Sequence, residues 1–104
     1  MMKALVHVNE SHNWQMAVAN IKNLAKAEQI TEIALLLNGE AVELILEPAN
    51  LDQILSELAV YVCNNSLKQR SIDPSSLDPI LTVVPSGVVK LVEPQEEKFR
   101  YIKP

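Results

Sequence analysis

The one cysteine in the chain, Cys63, is the side chain with the most chemistry open to it. It lies in the stretch Ala59-Val60-Tyr61-Val62-Cys63-Asn64-Asn65-Ser66-Leu67-Lys68-Gln69-Arg70. Positions 59 to 62 are apolar, aromatic or β-branched without interruption, as in a strand covered on both faces. Asn64, Asn65 and Ser66 are helix-capping types, and Leu67 to Arg70 can carry a helical turn. The thiol therefore falls at a strand's carboxyl end, next to the free N–H groups that open a helix. That position favours thiolate over thiol, and Lys68 and Arg70 are placed to add positive charge. A thiolate can take up sulfane sulfur as a persulfide with no second cysteine in its own chain. The competing reading is a small packed hydrophobe, since free cysteine is among the most buried residue types. A lone cysteine excludes an intramolecular disulfide and a two-cysteine redox cycle.

The other reactive side chains offer less. His7, late in a strand, reads as a hydrogen-bonded structural residue, and His12 as a solvated loop residue. Neither has an assignable partner, and a cysteine–histidine hydrolase also needs a third group to orient its base. No His and Cys cluster at metal-ligand spacing, so no metal site is argued. Two glycines can build neither a phosphate-binding loop nor a dinucleotide fingerprint, and no cofactor is expected.

The elements that must position Cys63 follow from periodicity. Lys3 to Val8 reads as a strand, followed by a polar turn over Asn9 to Asn13. Apolar positions 14, 17, 18, 21, 24 and 25 then predict a helix from Trp14, capped by Ser11 or Asn13. Glu32 to Leu37 is a second strand, and Glu40 to Glu47 a short helix ending before Pro48. Asn50 with Gln53 resembles a capping box, opening another short helix along Leu51, Ile54, Leu55 and Leu58. Asp73-Pro74 starts a single turn, and Ile80 to Val84 is the fourth strand. Ser86 is the N-cap of the last helix. Pro94 predicts a break after Val92, then a separate turn to Glu97 that Lys98 ends. Phe99 to Ile102 closes the chain as a fifth strand, with Tyr101 and Ile102 on opposite faces.

Strands alternating with helices mean an α/β domain with a mostly parallel sheet and helices on both faces. In such sheets ligands and chemistry collect at the carboxyl ends of the strands. Four of those ends are Asn9-Glu10-Ser11, Asn38-Gly39-Glu40, Cys63-Asn64-Asn65 and Pro85-Ser86-Gly87, and they contain both glycines. Cys63 is thus the candidate reactive group, with Asn38, Gly39, Asn64, Asn65, Ser86 and Gly87 as candidate binding residues.

At 104 residues the chain has room for a single domain, 1–104, and no second core. Aromatics supply only 4% of residues against 48% hydrophobic, so the core must be aliphatic. The net charge of −4 argues against nucleic-acid binding, which needs clustered Lys and Arg. No apolar run approaches the roughly 18 residues of a membrane span, and the opening residues do not read as a signal peptide. A cytoplasmic protein is expected.

Taken in order, these segments resemble the DsrE/DsrF-like family, associated with intracellular sulfur relay and sulfur oxidation. The resemblance rests on Lys3-Ala4-Leu5-Val6-His7-Val8, on Trp14 leading a helix with Asn20 and Asn23-Leu24, and on Asn38-Gly39-Glu40-Ala41-Val42. It continues in Val62-Cys63-Asn64-Asn65-Ser66-Leu67, Val83-Val84-Pro85-Ser86-Gly87-Val88-Val89, Gln95 and Tyr101-Ile102-Lys103-Pro104. It implies a three-layer α/β/α domain with a five-stranded sheet, assembled as a homotrimer or homohexamer. In the sulfur-relay members the cysteine matching Cys63 carries a persulfide and hands it to the next protein. Lys98 and Ser71 stand where such chains usually carry glycine. If those sites need φ > 0, each costs on the order of 1–2 kcal/mol, or the turn rearranges.

Two functions follow. One is a persulfide carrier with sulfur donor and acceptor proteins as partners; the other is a non-catalytic oligomeric module that holds a small ligand. The carrier reading expects a Cys63 thiol accessible from the cleft, and both expect a homo-oligomer, with Trp14 as the foremost interface aromatic.

Overall fold

The β-branched and leucine-rich runs that predict strands all enter one sheet. The computed structural model describes residues 2–54, 58–96 and 98–104. Its elements are β1 (Met2–Val8), α1 (Trp14–Lys26), β2 (Ile30–Leu37), a 3-10 helix (Gly39–Leu46), α2 (Pro48–Leu51), β3 (Ala59–Cys63), α3 (Asn64–Gln69), β4 (Leu81–Val84), α4 (Gly87–Glu96) and β5 (Phe99–Ile102). The five strands are ordered β4-β3-β2-β1-β5, and every neighbouring pair is parallel. The expected fold class holds: α/β, with helices on both faces of the sheet.

Alternation along each strand divides the core in two. Val6, Val8, Leu35, Leu37, Val60, Val62 and Leu81 face α1, the 3-10 helix and Leu67 of α3. Leu5, Ala34, Leu36 and Phe99 face the other way, packing with Tyr61, Val84 and Leu91 of α4. Chain direction explains this unequal cover. From β1 to β4 the chain steps one strand at a time in one direction, and right-handed crossovers put its helices on one face. It must then return past β1 to reach β5, so among the described residues α4 alone crosses the opposite face.

Several local expectations change. The segment after Asn38 is a 3-10 helix, with Ala41 N–H donating to the Asn38 carbonyl (3.2 Å) and Glu47 N–H to that of Leu44 (3.3 Å). α2 starts at Pro48 and not after Asn50, because proline is pre-set for a helix's first position. Asn50 turns its side-chain amide back to the Leu44 carbonyl (2.9 Å) and does not open a capping box. The stripe expected as far as Leu58 runs partly through 55–57, outside the described residues. Neither Ser11 nor Asn13 caps α1 with its side chain; a 3-10 turn over Ser11–Asn13 leads into it. Trp14 is no interface residue, being 3% exposed in the core beneath α1.

The predicted break at Pro94 is also absent. α4 is continuous from Gly87 to Glu96. Pro94 deprives only the Lys90 carbonyl of its donor, and that loss falls in the helix's last turns. The Gln95 side chain adds a donor to the neighbouring Leu91 carbonyl (2.7 Å). Lys98 accordingly follows a long helix in the left-handed conformation (φ 70°).

Ser71 is the second non-glycine residue at positive φ (56°). It ends α3 in a Schellman arrangement: Ser71 N–H donates to the Lys68 carbonyl (3.2 Å) and Ile72 N–H to that of Leu67 (3.0 Å). Leu67 lies in the core and Ile72 packs against that core, which holds the turn in its strained form. Because Ser71 is exposed, replacing it loses no packing. Ser71→Gly is therefore expected to stabilise the protein by about 1 kcal/mol in urea unfolding, and Ser71→Ala, which keeps the strain, is not. A Ser71→Gly protein no more stable than wild type would contradict this account of the turn.

Candidate functional site

Cys63 is the last residue of β3, paired in register with Val84 at the end of β4. The chain leaves β3 through α3 toward one face of the sheet and leaves β4 through α4 toward the other. The crevice between these two strand ends is the point in an open parallel sheet where loops diverge and ligands bind. Sequence reasoning placed the site at this edge of the sheet; the topology narrows it to this gap.

The β4–α4 turn closes on the cysteine. Ser86 lies at the N-cap position of α4, where its carbonyl accepts from Lys90 N–H (3.2 Å). The next N–H, that of Gly87, donates to Cys63 Sγ (3.2 Å). A methyl group on Gly87 would lie 3.1 Å from Asn38 Cβ and 3.2 Å from Cys63 Cβ, so glycine lets the three approach closely without displacing either side chain. Gly39 is needed for a different reason: its φ is +57°, and an added Cβ would meet the Asn9 carbonyl oxygen at 3.2 Å.

Gly39 acts on the sulfur through Ser66. Its N–H donates to Ser66 Oγ (2.8 Å), which leaves the Ser66 hydroxyl hydrogen free to point at Cys63. Burial pushes the Cys63 thiol up, but the Ser66 hydroxyl and the N–H groups of Ser66, Gly87 and Asn65 together outweigh it. The thiol lies below its ordinary range as a result. Cys63 is itself the N-cap residue of α3 (φ −74°, ψ 117°), so the first N–H groups of that helix stand beside the sulfur. Asn65 acts through its backbone, its side chain being exposed. Asn64 is half-buried, with an unpaired side-chain oxygen.

The expected help from Lys68 and Arg70 is not there. Lys68 is exposed, and Arg70 is turned to the Glu43 carboxylate (3.7 Å) and the Ser66 carbonyl (3.3 Å). Neither charge is among the causes that lower the thiol. His12 is exposed beside Glu10 (3.5 Å), a loop residue as expected.

His7 does have partners, and sequence reasoning could not assign them. Its Nε2 lies 2.7 Å from Asn38 Oδ1 and its Nδ1 2.6 Å from Tyr101 Oη. An amide oxygen only accepts, so Nε2 carries the hydrogen; Nδ1 then accepts from the tyrosine hydroxyl. Burial holds His7 below its ordinary value and so disfavours the charged ring, opposed by Asn38 and assisted by the charge of Lys103. Burial raises the Tyr101 phenol, which keeps it a donor. Ser66 had a readable clue, since it stands three residues after Cys63 on one helical face. His7 and Tyr101 had none without the β1–β5 register that sets Leu5 opposite Tyr101.

The open cleft expected over the thiol is absent. Cys63 is only 5% exposed, because the first turn of α4 lies directly on it. The described cavities lie elsewhere, one of them among Ala25, Ile30, Leu58 and Ala59 at the amino-terminal end of β2 and β3. No His, Cys, Asp or Glu cluster among the described residues could hold a metal.

The profile of the DsrE/DsrF-like family matches residues 2–104. The chain belongs to the DsrE/DsrF-like family. The solved structure of a protein of unknown function, MTH1491 from Methanobacterium thermoautotrophicum, superposes with a TM-score of 0.86 at 22% identity, over 100% of both chains. At that identity the likeness speaks for the DsrE/DsrF-like fold alone. No curated protein gives a significant match. The family match spans every residue of the Cys63 site, from His7 on β1 to Tyr101 on β5.

Proposed function

We propose that this DsrE/DsrF-like protein carries sulfur as a Cys63 persulfide in an intracellular, cytoplasmic transfer chain. The observation that supports this most is a buried sulfur around which hydrogen-bond donors outweigh the cost of burial. A merely packed thiol calls for apolar neighbours, not the Ser66 hydroxyl and three backbone N–H groups. In the reaction the Cys63 thiolate attacks the outer sulfur of a donor persulfide, R–S–SH. The donor's S–S bond breaks as the Cys63–S–S bond forms, and R–S⁻ leaves with the electron pair. The sulfane sulfur moves with no net oxidation, and an acceptor thiolate removes it by the same step in reverse. The narrow exposure of Cys63 suits a terminal sulfur atom and disfavours bulky electrophiles. Donor and acceptor proteins are the partners this reading requires. The net charge of −4 argues against nucleic acid as a partner, and no helix among the described residues is long and apolar enough to cross a membrane.

The second reading, a non-catalytic module with Cys63 packed, draws on the same 5% exposure. Incubation with a sulfane-sulfur donor followed by intact-mass analysis separates the two. The carrier gains the mass of one sulfur, loses it to a reducing thiol, and gains none as Cys63→Ser. A wild-type protein that stays unmodified would leave only the module.

A homotrimer or homohexamer belongs to this proposal. Val88, Val89 and Val92 are each more than half exposed on α4, the single helix among the described residues over its face of the sheet. Such a stripe is covered in a self-association. Sedimentation equilibrium is expected to give a trimer or hexamer for the wild type and a smaller species for Val92→Glu. A wild-type monomer at micromolar concentration would refute it.

A further inference from the structure

The sulfur that a transfer reaction needs is covered, and the element that covers it has few attachments. Cys63 is 5% exposed, with the first turn of α4 over it and Gly87 N–H on its Sγ (3.2 Å). Attack on a donor R–S–SH takes more than the arrival of its terminal sulfur. The bond being broken lies behind that atom, in line with the attacking sulfur, and the leaving group must depart.

The two longest helices differ in their hold on the sheet. α1 buries Trp14, Ala17, Val18 and Ile21. Among the described side chains of α4 none is fully buried, and only Lys90 and Leu91 are half-buried. Leu91 packs on the smaller cluster of Leu5, Ala34, Leu36 and Phe99, and the Lys90 ammonium lies over the Tyr61 ring (4.2 Å). Val88, Val89 and Val92 are exposed and add nothing to that seat. A segment with so few buried apolar contacts opens locally, at a free energy well below that of global unfolding.

Chain length allows such an opening without loss of a strand. α4 joins β4 to β5, the two edges of the sheet. Four strand spacings put those edges about 19 Å apart. Residues 85–98, which link them, reach about 45 Å when extended. The link therefore has slack to leave the sheet while β4 stays on β3 and β5 stays on β1.

We propose that α4 is a lid over Cys63: it unseats from the sheet, with both edge strands still paired, to admit a sulfur donor or acceptor, and reseats with Gly87 N–H on the sulfur. The lid rests on the reading of Cys63 as the reactive group. It reconciles a sulfur that must exchange with one that is enclosed at rest. Closure returns the Gly87 donor after each exchange, and the seat on Leu91 and Lys90 sets how often the site opens.

The test is the labelling rate of Cys63 by two thiol reagents of unequal size, methyl methanethiosulfonate and Ellman's reagent. Each native rate is divided by that of the urea-unfolded chain, with all samples at one protein concentration. Opening exposes the whole side chain, so the two ratios are expected to agree within about twofold. Leu91→Ala, which weakens the seat without touching the sulfur, is expected to speed both reagents by about tenfold. Labelling of the wild type should rise with urea far less steeply than global unfolding followed by circular dichroism, because only the surface under α4 is exposed. A ratio about tenfold or more higher for the small reagent would mean a fixed slot and overturn the lid. A Leu91→Ala rate equal to wild type, or a urea dependence equal to that of global unfolding, would overturn it too. Should Leu91→Ala not fold, the reagent pair and the urea dependence of the wild type decide. No sulfane sulfur enters this measurement, so a failure of persulfide loading and a failure of the lid are read separately.

Discussion

The contact from Gly87 N–H to Cys63 Sγ holds the site together, and most of the neighbouring sequence choices follow from it. It ties the start of α4 to the end of β3, so the last helix begins on the sulfur and then crosses the bare face of the sheet. That crossing delivers β5 to the far edge, beside β1, where Tyr101 can reach His7. A Cβ on residue 87 would press on Asn38 and Cys63 at 3.1–3.3 Å, so those neighbours would have to give by a few tenths of an ångström. The glycine therefore serves close approach, in contrast to Gly39, whose left-handed backbone is what its turn requires.

Around the sulfur two effects of opposite sign compete. Withdrawing a thiolate from water disfavours it, and Cys63 is almost wholly withdrawn. A hydrogen bond to a charged group contributes about 1.5–3 kcal/mol, so a few donors suffice to reverse that cost. The donors here come from three separate segments: Ser66 and Asn65 on α3, Gly87 on α4, and Gly39 acting through Ser66. Because each segment is fixed by its own packing, the donors need no rearrangement when charge appears. The result is a thiol more acidic than an ordinary one while remaining shielded from solvent.

The fold was legible because its rules are local. Periods of two and 3.6 mark the strands and helices, and their alternation implies a parallel sheet. Asn38, Gly39, Cys63, Ser86 and Gly87 were legible for the same reason, since strand ends can be read from composition. The pair His7–Tyr101 was not, because its contact comes from register and crossover geometry between residues far apart in sequence, whereas Ser66, three residues after Cys63, carried a local clue. Pro94 misled in the other direction. An average penalty for proline suggested a break, but one lost hydrogen bond in the last turns of α4 does not outweigh the packing of Leu91 on the sheet. Lys98 and Ser71 show the same override, their left-handed backbones held by the helix ends they follow. Lys68 and Arg70 were the expected charges at the sulfur, yet proximity in sequence did not aim them there.

The central claim is that the fold itself, despite burying Cys63, stabilises its thiolate. It is tested most directly by titrating the thiolate of the wild-type protein in its native state and again in urea, against Cys63→Ser as the blank. The account predicts a lower midpoint in the native state than in the unfolded chain. A native midpoint equal to or above the unfolded one would mean that burial wins over the donors, and the thiol would then be a packing residue.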